Sequence, residues 1–205
     1  MKKDKIKLLF IGPFPPPYSG PELSTKQLLE SDLKNQFDII FLNTNVRKDN
    51  SKKGKIDFSA FLSVITFNLK LFKRLLFKKP DLAYHLVTPT EIGWLGRDVW
   101  FILQCKLFGV KKIIHFRGSH LDINYKTFRS ISKKLIKYAC NFVDAAIVQS
   151  NCLKNQFNGL VNDSKVFVIP NTVDNLFKSL DRSVLSEIPQ ILFFGHLTKA
   201  KGYTD

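Results

Sequence analysis

Short apolar runs alternate with longer stretches of helical periodicity along the first 170 residues of the chain. Each run is short enough for a strand, and several end at glycine, proline or polar residues. The predicted strands are 5–12, 37–42, 80–85, 112–116, 145–148 and 165–169, and the predicted helices are 22–33, 58–79, 91–108, 126–141 and 151–158. Strands that alternate with helices form a parallel sheet covered on both faces. The pattern therefore predicts an α/β fold, a doubly wound Rossmann-like sheet over residues 1–170.

The composition and the hydrophobic pattern of the sequence change after Pro170. Residues 171–190 are polar and irregular, which is typical of a linker, and the apolar run Ile191–Gly195 predicts a new strand. A lone strand has no sheet of its own to join, so we interpret residues 191–205 as the truncated start of a second domain. The polar and charged segment 45–55 is predicted to be a loop.

Composition supports a globular domain without a membrane span. A chain of 205 residues with 44% hydrophobic and 13% aromatic content can bury a packed core. The apolar run Leu8–Ile11 is too short for a signal peptide, and no stretch approaches the ~20 uncharged residues that cross a bilayer. Three widely spaced cysteines, Cys105, Cys140 and Cys152, are typical of free thiols in a reducing compartment. We expect a cytoplasmic protein that is soluble or peripheral on the inner face of the membrane.

The formal net charge of +15 favours an anionic partner, either nucleic acid or anionic lipid. No helix-turn-helix, zinc finger or aromatic RNA-binding motif is present, which makes nucleic acid the weaker alternative. Residues 58–79 form a basic amphipathic segment. Its apolar side carries Phe58, Phe61, Leu62, Ile65, Leu69, Phe72 and Leu76, and its other side carries Ser63, Thr66, Lys70, Lys73 and Arg74. Two interpretations stay open: a helix that covers the sheet with its lysines in water, and a segment that lies on anionic lipid.

Candidate chemistry lies where the predicted strands end, because a doubly wound sheet binds ligands at that edge. The first strand ends at Gly12, and Ser19, Gly20 and Pro21 follow at a helix start whose free N–H groups could hold an anionic or hydroxylated ligand. His85 ends the third strand. The fourth strand leads to His115, Arg117 and His120.

The chemistry of these strand ends is predicted to be polar substrate contact. The histidines could hold a metal ion, but no acidic or cysteine partner is spaced to complete such a site. Neither the dinucleotide-binding nor the P-loop glycine motif is present. We therefore expect no metal and no cofactor.

Five sequence motifs occur in a fixed order along the chain, and together they are more specific for a family than any one of them alone. They are Gly-Pro-Phe-Pro-Pro-Pro-Tyr-Ser-Gly at 12–20, Ile-Ile-His-Phe-Arg-Gly-Ser at 113–119, Ala-Ala-Ile-Val-Gln-Ser at 145–150, Val-Ile-Pro-Asn-Thr-Val-Asp at 168–174, and Ile191–Gly202. In this order they resemble motifs of the retaining glycosyltransferases of family 4, which have the two-domain glycosyltransferase B architecture. The resemblance implies the N-terminal, acceptor-binding half of a bacterial-type enzyme. Such an enzyme transfers a sugar from a nucleotide-sugar donor to a polysaccharide or lipid-linked acceptor.

The resemblance also implies site residues. His115 and Arg117 would be catalytic, and the donor diphosphate would contact Gly195, His196 and Lys201. The implied substrate-binding residues are Ser19, Gly20, Pro21, His85, Gly118, Ser119, His120, Ser150 and Asn171. Arg117 stands where the family commonly has histidine, and we expect it to hold an anionic acceptor.

The family's second domain, with its pair of spaced glutamates, has no counterpart beyond residues 191–205, so we expect the chain to be inactive alone. Two alternatives stay open. One is a non-catalytic acceptor-binding or membrane-docking module, or half of a split enzyme. The other is a basic nucleic-acid-binding α/β protein.

Overall fold

The computed structural model of the chain describes residues 5–45 and 58–171. Most of the predicted loop 45–55 lies outside these residues. The predicted linker beyond Asn171, the predicted strand at 191–195 and the donor-diphosphate residues Gly195, His196 and Lys201 also lie outside them.

Six parallel strands form the sheet, as the alternation of elements predicts. Their order is β2-β1-β3-β4-β5-β6, and every neighbouring pair is parallel. The strands are β1 Ile6–Gly12, β2 Phe37–Asn43, β3 Leu82–Leu86, β4 Lys111–His115, β5 Ala145–Val148 and β6 Val166–Val168. The predicted α/β class and the Rossmann-like parallel sheet are therefore confirmed. The third strand begins at Leu82 rather than at Pro80, because proline has no N–H to donate to a ladder.

Helices connect the strands. They are α1 Gly20–Glu30, α2 Leu33–Gln36, α3 Phe58–Lys78, α4 Glu91–Gly93, α5 Val99–Leu107, α6 Leu121–Thr127 and α7 Ser130–Cys140, and α4 and α5 are joined by a π-helical turn, Trp94–Asp98. The predicted helix 126–141 is in fact the two helices α6 and α7, and the predicted helix 151–158 is a 3₁₀ helix, Asn151–Phe157. None of the described helices is long and apolar enough to cross a bilayer.

The sheet separates two apolar clusters. On one face Leu9, Ile11 and Ile114 pack with residues of α3, α5 and α7 in the larger cluster. On the other face Phe10 and Tyr84 pack with α1 and its neighbours in a smaller one. Side chains of a strand alternate between these faces, so neighbouring residues of β3 and β4 meet different surroundings.

Helix α3 covers the sheet, but with a different side from the one that the sequence emphasises. The buried stripe is Phe67, Leu71 and Leu75, spaced four residues apart. From Phe61 onward, the apolar side predicted from sequence faces solvent instead, and Leu69 at its centre is 58% exposed. Two apolar stripes therefore run along one helix: the narrower one is buried in the core, and the wider one is exposed, with Phe72 packed on Phe108 at its border.

This arrangement predicts that truncation of two leucines of the same helix changes the free energy of unfolding by very different amounts. Leu71→Ala should lower the free energy of unfolding by about 2–5 kcal/mol, because Leu71 is fully buried and truncation leaves a cavity. Leu69→Ala, the matched control, should change it by about 0.5 kcal/mol or less, as for other exposed positions. Urea denaturation of both variants measures the difference. A larger loss for Leu69→Ala would reverse the assigned orientation of α3.

Candidate functional site at the carboxyl edge of the sheet

The side of the sheet on which successive strands are added changes between β1 and β3, although all strands stay parallel. From β1 the chain crosses to β2 on one side, and from β2 it returns to β3 on the other side of β1. In doubly wound folds such a switch point opens a crevice beyond the carboxyl ends of the strands, where ligands bind. The residues that follow β1, β3, β4 and β5 lie at this edge.

The loop after β1 leads to the start of α1, where Ser19, Gly20 and Pro21 were predicted to bind substrate. Ser19 is the extended N-cap residue, and its hydroxyl donates to the carboxyl group of Glu22 instead of capping a backbone N–H. A carboxyl group in the first turn already interacts with the positive end of the helix. This helix start therefore suits a hydroxylated ligand better than a second anion.

His85, a predicted substrate contact, lies in the core. Its side chain is fully buried between the rings of Phe67 and Phe101, whose centres are 6.2 and 4.7 Å from that of the imidazole. Its Nε2 is 2.7 Å from Oδ1 of Asp98, which is equally buried. The structure thus leaves His85 no surface for a substrate to touch, because its position in β3 points it at the face that α3 and α5 cover.

Asp98 connects the end of β3 to the π-helical turn through its hydrogen bonds. Its second oxygen, Oδ2, accepts from the backbone N–H of Thr88 at 2.9 Å and from the Thr88 hydroxyl at 2.8 Å. Burial alone would raise the pKa of Asp98, but the hydrogen bond from His85 and the charge of Arg97 bring it below the usual value. Burial lowers the pKa of His85. Asp98 is therefore the charged member of the pair, and the neutral imidazole donates to it.

His115, the predicted catalytic histidine, points to the opposite face of the sheet. Its Nδ1 is 2.5 Å from the hydroxyl of Tyr84 on the neighbouring strand, and the Tyr84 hydroxyl also interacts with Arg117. Burial and the nearby Arg117 lower the pKa of His115 to about 3. Burial raises the pKa of Tyr84 to about 12, although Arg117 opposes that shift. At neutral pH the cluster therefore holds a neutral imidazole, a neutral phenol and a guanidinium cation.

The direction of the hydrogen bonds follows from these charge states. The positive charge of Arg117 acts on the Tyr84 oxygen, which favours the phenol as the donor to Nδ1 of His115. The proton of the imidazole is then on Nε2, which has no partner among the described residues, and neither has Nε of Arg117. Buried donors without partners are rare in proteins. Both of these nitrogen atoms are buried, so the group of the cluster that a ligand can reach is the partly exposed side chain of Arg117, which can donate hydrogen bonds to a ligand hydroxyl or anionic oxygen. The cluster is poorly suited to accept a proton at His115.

The other predicted site residues are placed as follows. Gly118, Ser119 and His120 follow Arg117 in the same loop, and Ser119 Oγ lies 2.7 Å from Nδ1 of His120. His120 adopts a left-handed backbone conformation, with φ of 79°, immediately before α6. Ser150 follows β5, and the neighbouring Gln149 donates to the side chain of Asn171 at 2.7 Å. Gly118, Ser119 and His120 thus lie in the loop after β4, Ser150 follows β5 and Asn171 follows β6, whereas the side chain of His85 is buried in the core.

A cavity at the same edge was not predicted from sequence. It has a volume of about 180 Å³, and it lies between α3, the residues after β2 and β3, and the π-helical turn. Its lining includes Thr44, Ser63, Thr88, Gly93 and Arg97. A side chain at Gly93 would collide with Thr88, so glycine keeps this wall close to the strand end. The apolar pattern of residues 91–108 predicts one regular helix and does not indicate the π-helical turn at Trp94–Asp98. The turn changes the direction in which the side chains after it point.

A larger open hollow of about 860 Å³ lies at the opposite, amino edge of the sheet. Lys5, Lys7, Lys34 and Lys79 line it together with Asp38 and Asp81. Asp81 there accepts from the backbone of Lys7, and Lys5 donates to a backbone carbonyl. These contacts satisfy the residues locally, and the hollow is at the edge away from the switch-point crevice, so we do not assign it to the functional site.

Comparison with known proteins leaves the chain without a family: no family model matches it, and no curated protein is significantly similar. The fold is what is established. This chain contains a Rossmann-like parallel α/β domain whose carboxyl edge carries an arginine–tyrosine–histidine cluster and a small cavity beside Asp98.

The low pKa of His115 can be tested by ¹⁵N-detected histidine spectra recorded from pH 8 to pH 4. We expect the His115 ring to stay neutral throughout, with Nε2 protonated, whereas an exposed histidine titrates near pH 6.5. Since the unfolded chain binds this proton first, the burial of His115 should lower stability as pH falls below about 6.5. A His115 titration midpoint between pH 6 and 7 would contradict the assigned buried, hydrogen-bonded state.

Proposed function

We propose that this chain is the acceptor-binding half of a retaining glycosyltransferase of the family that its motifs resemble. In this proposal the enzyme moves a sugar from a nucleotide-sugar donor to a polysaccharide or lipid-linked acceptor. The parallel sheet and the switch-point crevice are compatible with such a half, but many unrelated activities use the same fold. The proposal therefore depends on the site residues.

The observation that carries the proposal is the Arg117–Tyr84–His115 cluster. It offers a fixed cation beside a neutral imidazole with an unpartnered donor, and Tyr84 holds both in place. Sugars present many hydroxyl oxygens, and lipid-linked sugars add phosphate oxygens near the reacting group. Arginine binds phosphate well because its N–H groups can pair with two oxygens at once. The cluster thus suits an acceptor that combines hydroxyls with a negative charge.

The residues of this half would position the acceptor rather than perform the bond-breaking steps. Retaining sugar transfer passes through an oxocarbenium-like state with charge on the leaving diphosphate. In the proposal, the partly exposed Arg117 holds an anionic group of the acceptor, and the buried His115 helps to position Arg117 through Tyr84. The expected contacts to the donor diphosphate, from Gly195, His196 and Lys201, fall in the part of the chain that the structure does not describe.

A non-catalytic role, or half of a split enzyme, is the second candidate. Co-purification with a polypeptide that supplies the second domain of the resembled family would favour the split enzyme. A nucleic-acid-binding role is a weaker proposal, supported only by the net charge.

The binding test uses the purified 205-residue chain and a soluble short-chain isoprenyl diphosphate sugar as the acceptor probe. We expect NMR shift changes centred on residues 115–120. Arg117→Ala should weaken binding at least tenfold, which is the loss of about one charge-assisted hydrogen bond. The matched control Arg129→Ala, an exposed arginine, should leave the affinity unchanged. Equal affinity of wild type and Arg117→Ala would refute the acceptor site.

Activity gives an independent test of the expected donor contacts. With nucleotide-sugar donors and the same probe, the isolated chain should transfer no sugar above background, because most groups that stabilise the leaving diphosphate are expected elsewhere. Radiolabelled sugar incorporation measures this. Appreciable transfer by the isolated chain would show that residues 1–205 already contain a complete catalytic site.

A further inference from the structure

We propose that α3, α5 and α7 together form a docking surface for an anionic lipid bilayer. This inference depends on the outer faces of the three helices and not on the proposed sugar transfer. The surface is called the outer helix layer below.

The broadest part of the outer helix layer is α3. Its buried stripe, Phe67, Leu71 and Leu75, faces the core. Large apolar side chains nevertheless cover most of its solvent side, and they are Phe61, Leu62, Ile65, Leu69, Leu76 and Phe77. A helix in contact with water on that side normally carries polar residues there.

The apolar surface continues from α3 across the neighbouring helices. Helix α5 contacts both α3 and α7, so it lies between them. Its exposed apolar residues are Trp100 and Leu107, and those of α7 are Ile131, Leu135 and Tyr138. In each helix they recur at three- to seven-residue spacings, as expected for one face. An exposed apolar surface that extends over three adjacent helices marks an interaction site.

The charges of the outer helix layer all have one sign. Helices α3, α5 and α7 contain Lys or Arg at eight positions, namely 70, 73, 74, 78, 106, 133, 134 and 137, and neither Asp nor Glu. On α3 the cations Lys70, Lys73 and Arg74 lie beside the apolar stripe, and on α7 Lys134 and Lys137 do so. By contrast, α1 on the opposite face of the sheet carries Glu22 and Glu30.

An anionic bilayer fits this combination better than other occupants. Apolar side chains can enter the acyl boundary while lysines reach phosphate groups, and tryptophan and tyrosine favour that depth. A second copy of this chain would bring cationic helices against each other, which like-charge repulsion opposes. Nucleic acid would pair with the lysines but leave the aliphatic side chains in water.

The cavity beside Arg97 would lie close to a docked bilayer. Ser63 and Val64 near the start of α3 line this cavity, and Arg97 lines it from the π-helical turn. Docking through α3 therefore brings the carboxyl edge of the sheet near the lipid headgroups.

The test measures binding of the full 205-residue chain to vesicles of phosphatidylcholine with and without 30% phosphatidylglycerol. The chain has two tryptophans, and Trp94 is fully buried whereas Trp100 is 50% exposed. A shift of emission to shorter wavelength, and quenching by brominated lipid, therefore report on Trp100. We expect binding to the anionic vesicles that weakens with salt, and at least tenfold weaker binding to pure phosphatidylcholine.

Two variants separate the apolar and the cationic contributions. Leu69→Ser with Phe77→Ser removes exposed apolar groups, and Lys70→Gln with Lys73→Gln and Arg74→Gln removes charges. Each should lower the vesicle affinity at least tenfold without changing the circular dichroism spectrum. The matched control, Leu23→Ser with Lys26→Gln, removes an exposed leucine and a lysine from α1 and should bind like wild type.

Three outcomes would overturn the proposal. One is the absence of binding to anionic vesicles at low salt. Another is an equal loss of affinity in the α1 control. The last is a concentration-dependent dimer, or binding to an RNA oligonucleotide, that shields Trp100 while vesicles do not.

Discussion

One buried carboxylate organises the carboxyl edge of this domain. Asp98 accepts hydrogen bonds from His85 in β3 and from the backbone and hydroxyl of Thr88 just beyond it, and Arg97 lies beside it. A charge without solvent is stable only when such partners surround it. The carboxylate thereby fixes the π-helical turn against the strand end. The cavity, the orientation of Arg97 and the start of α5 all depend on that attachment.

The two faces of the sheet divide the chemistry of this edge. His85 and His115 end neighbouring strands, but their side chains lie on opposite faces, with different partners. The neutral His85 donates a hydrogen bond to the buried Asp98. The Nε2 atom of His115, beside Arg117, has no hydrogen-bond partner among the described residues. Both histidines are buried, but His115 is linked through Tyr84 to Arg117, which is partly exposed at the carboxyl edge. Function is therefore proposed for His115 and Arg117.

The positions of the strands could be predicted from sequence because short apolar runs end at clear breaks; β5 has the predicted bounds, Ala145–Val148. The packing side of α3 could not be predicted. Its two apolar stripes compete, and the contact of Phe67 with His85, distant in sequence, marks which one is buried. The His85–Asp98 pair was also missed, because periodicity predicts a regular helix where the structure has a π turn. Alternation along the strand sets the face on which a histidine lies, but what that side chain contacts depends on the helices that cover the face.

The central claim is that Asp98 and His85 act as a unit that holds this edge together. A double-mutant cycle of Asp98→Ala, His85→Ala and the double variant measures it by urea denaturation. Asp98→Ala alone should lower the free energy of unfolding by about 3–5 kcal/mol, as expected when one partner of a buried pair is removed. The coupling energy should reach about 1–3 kcal/mol, since the residues share one network. Additive losses, or a loss below about 1 kcal/mol for Asp98→Ala, would contradict the account.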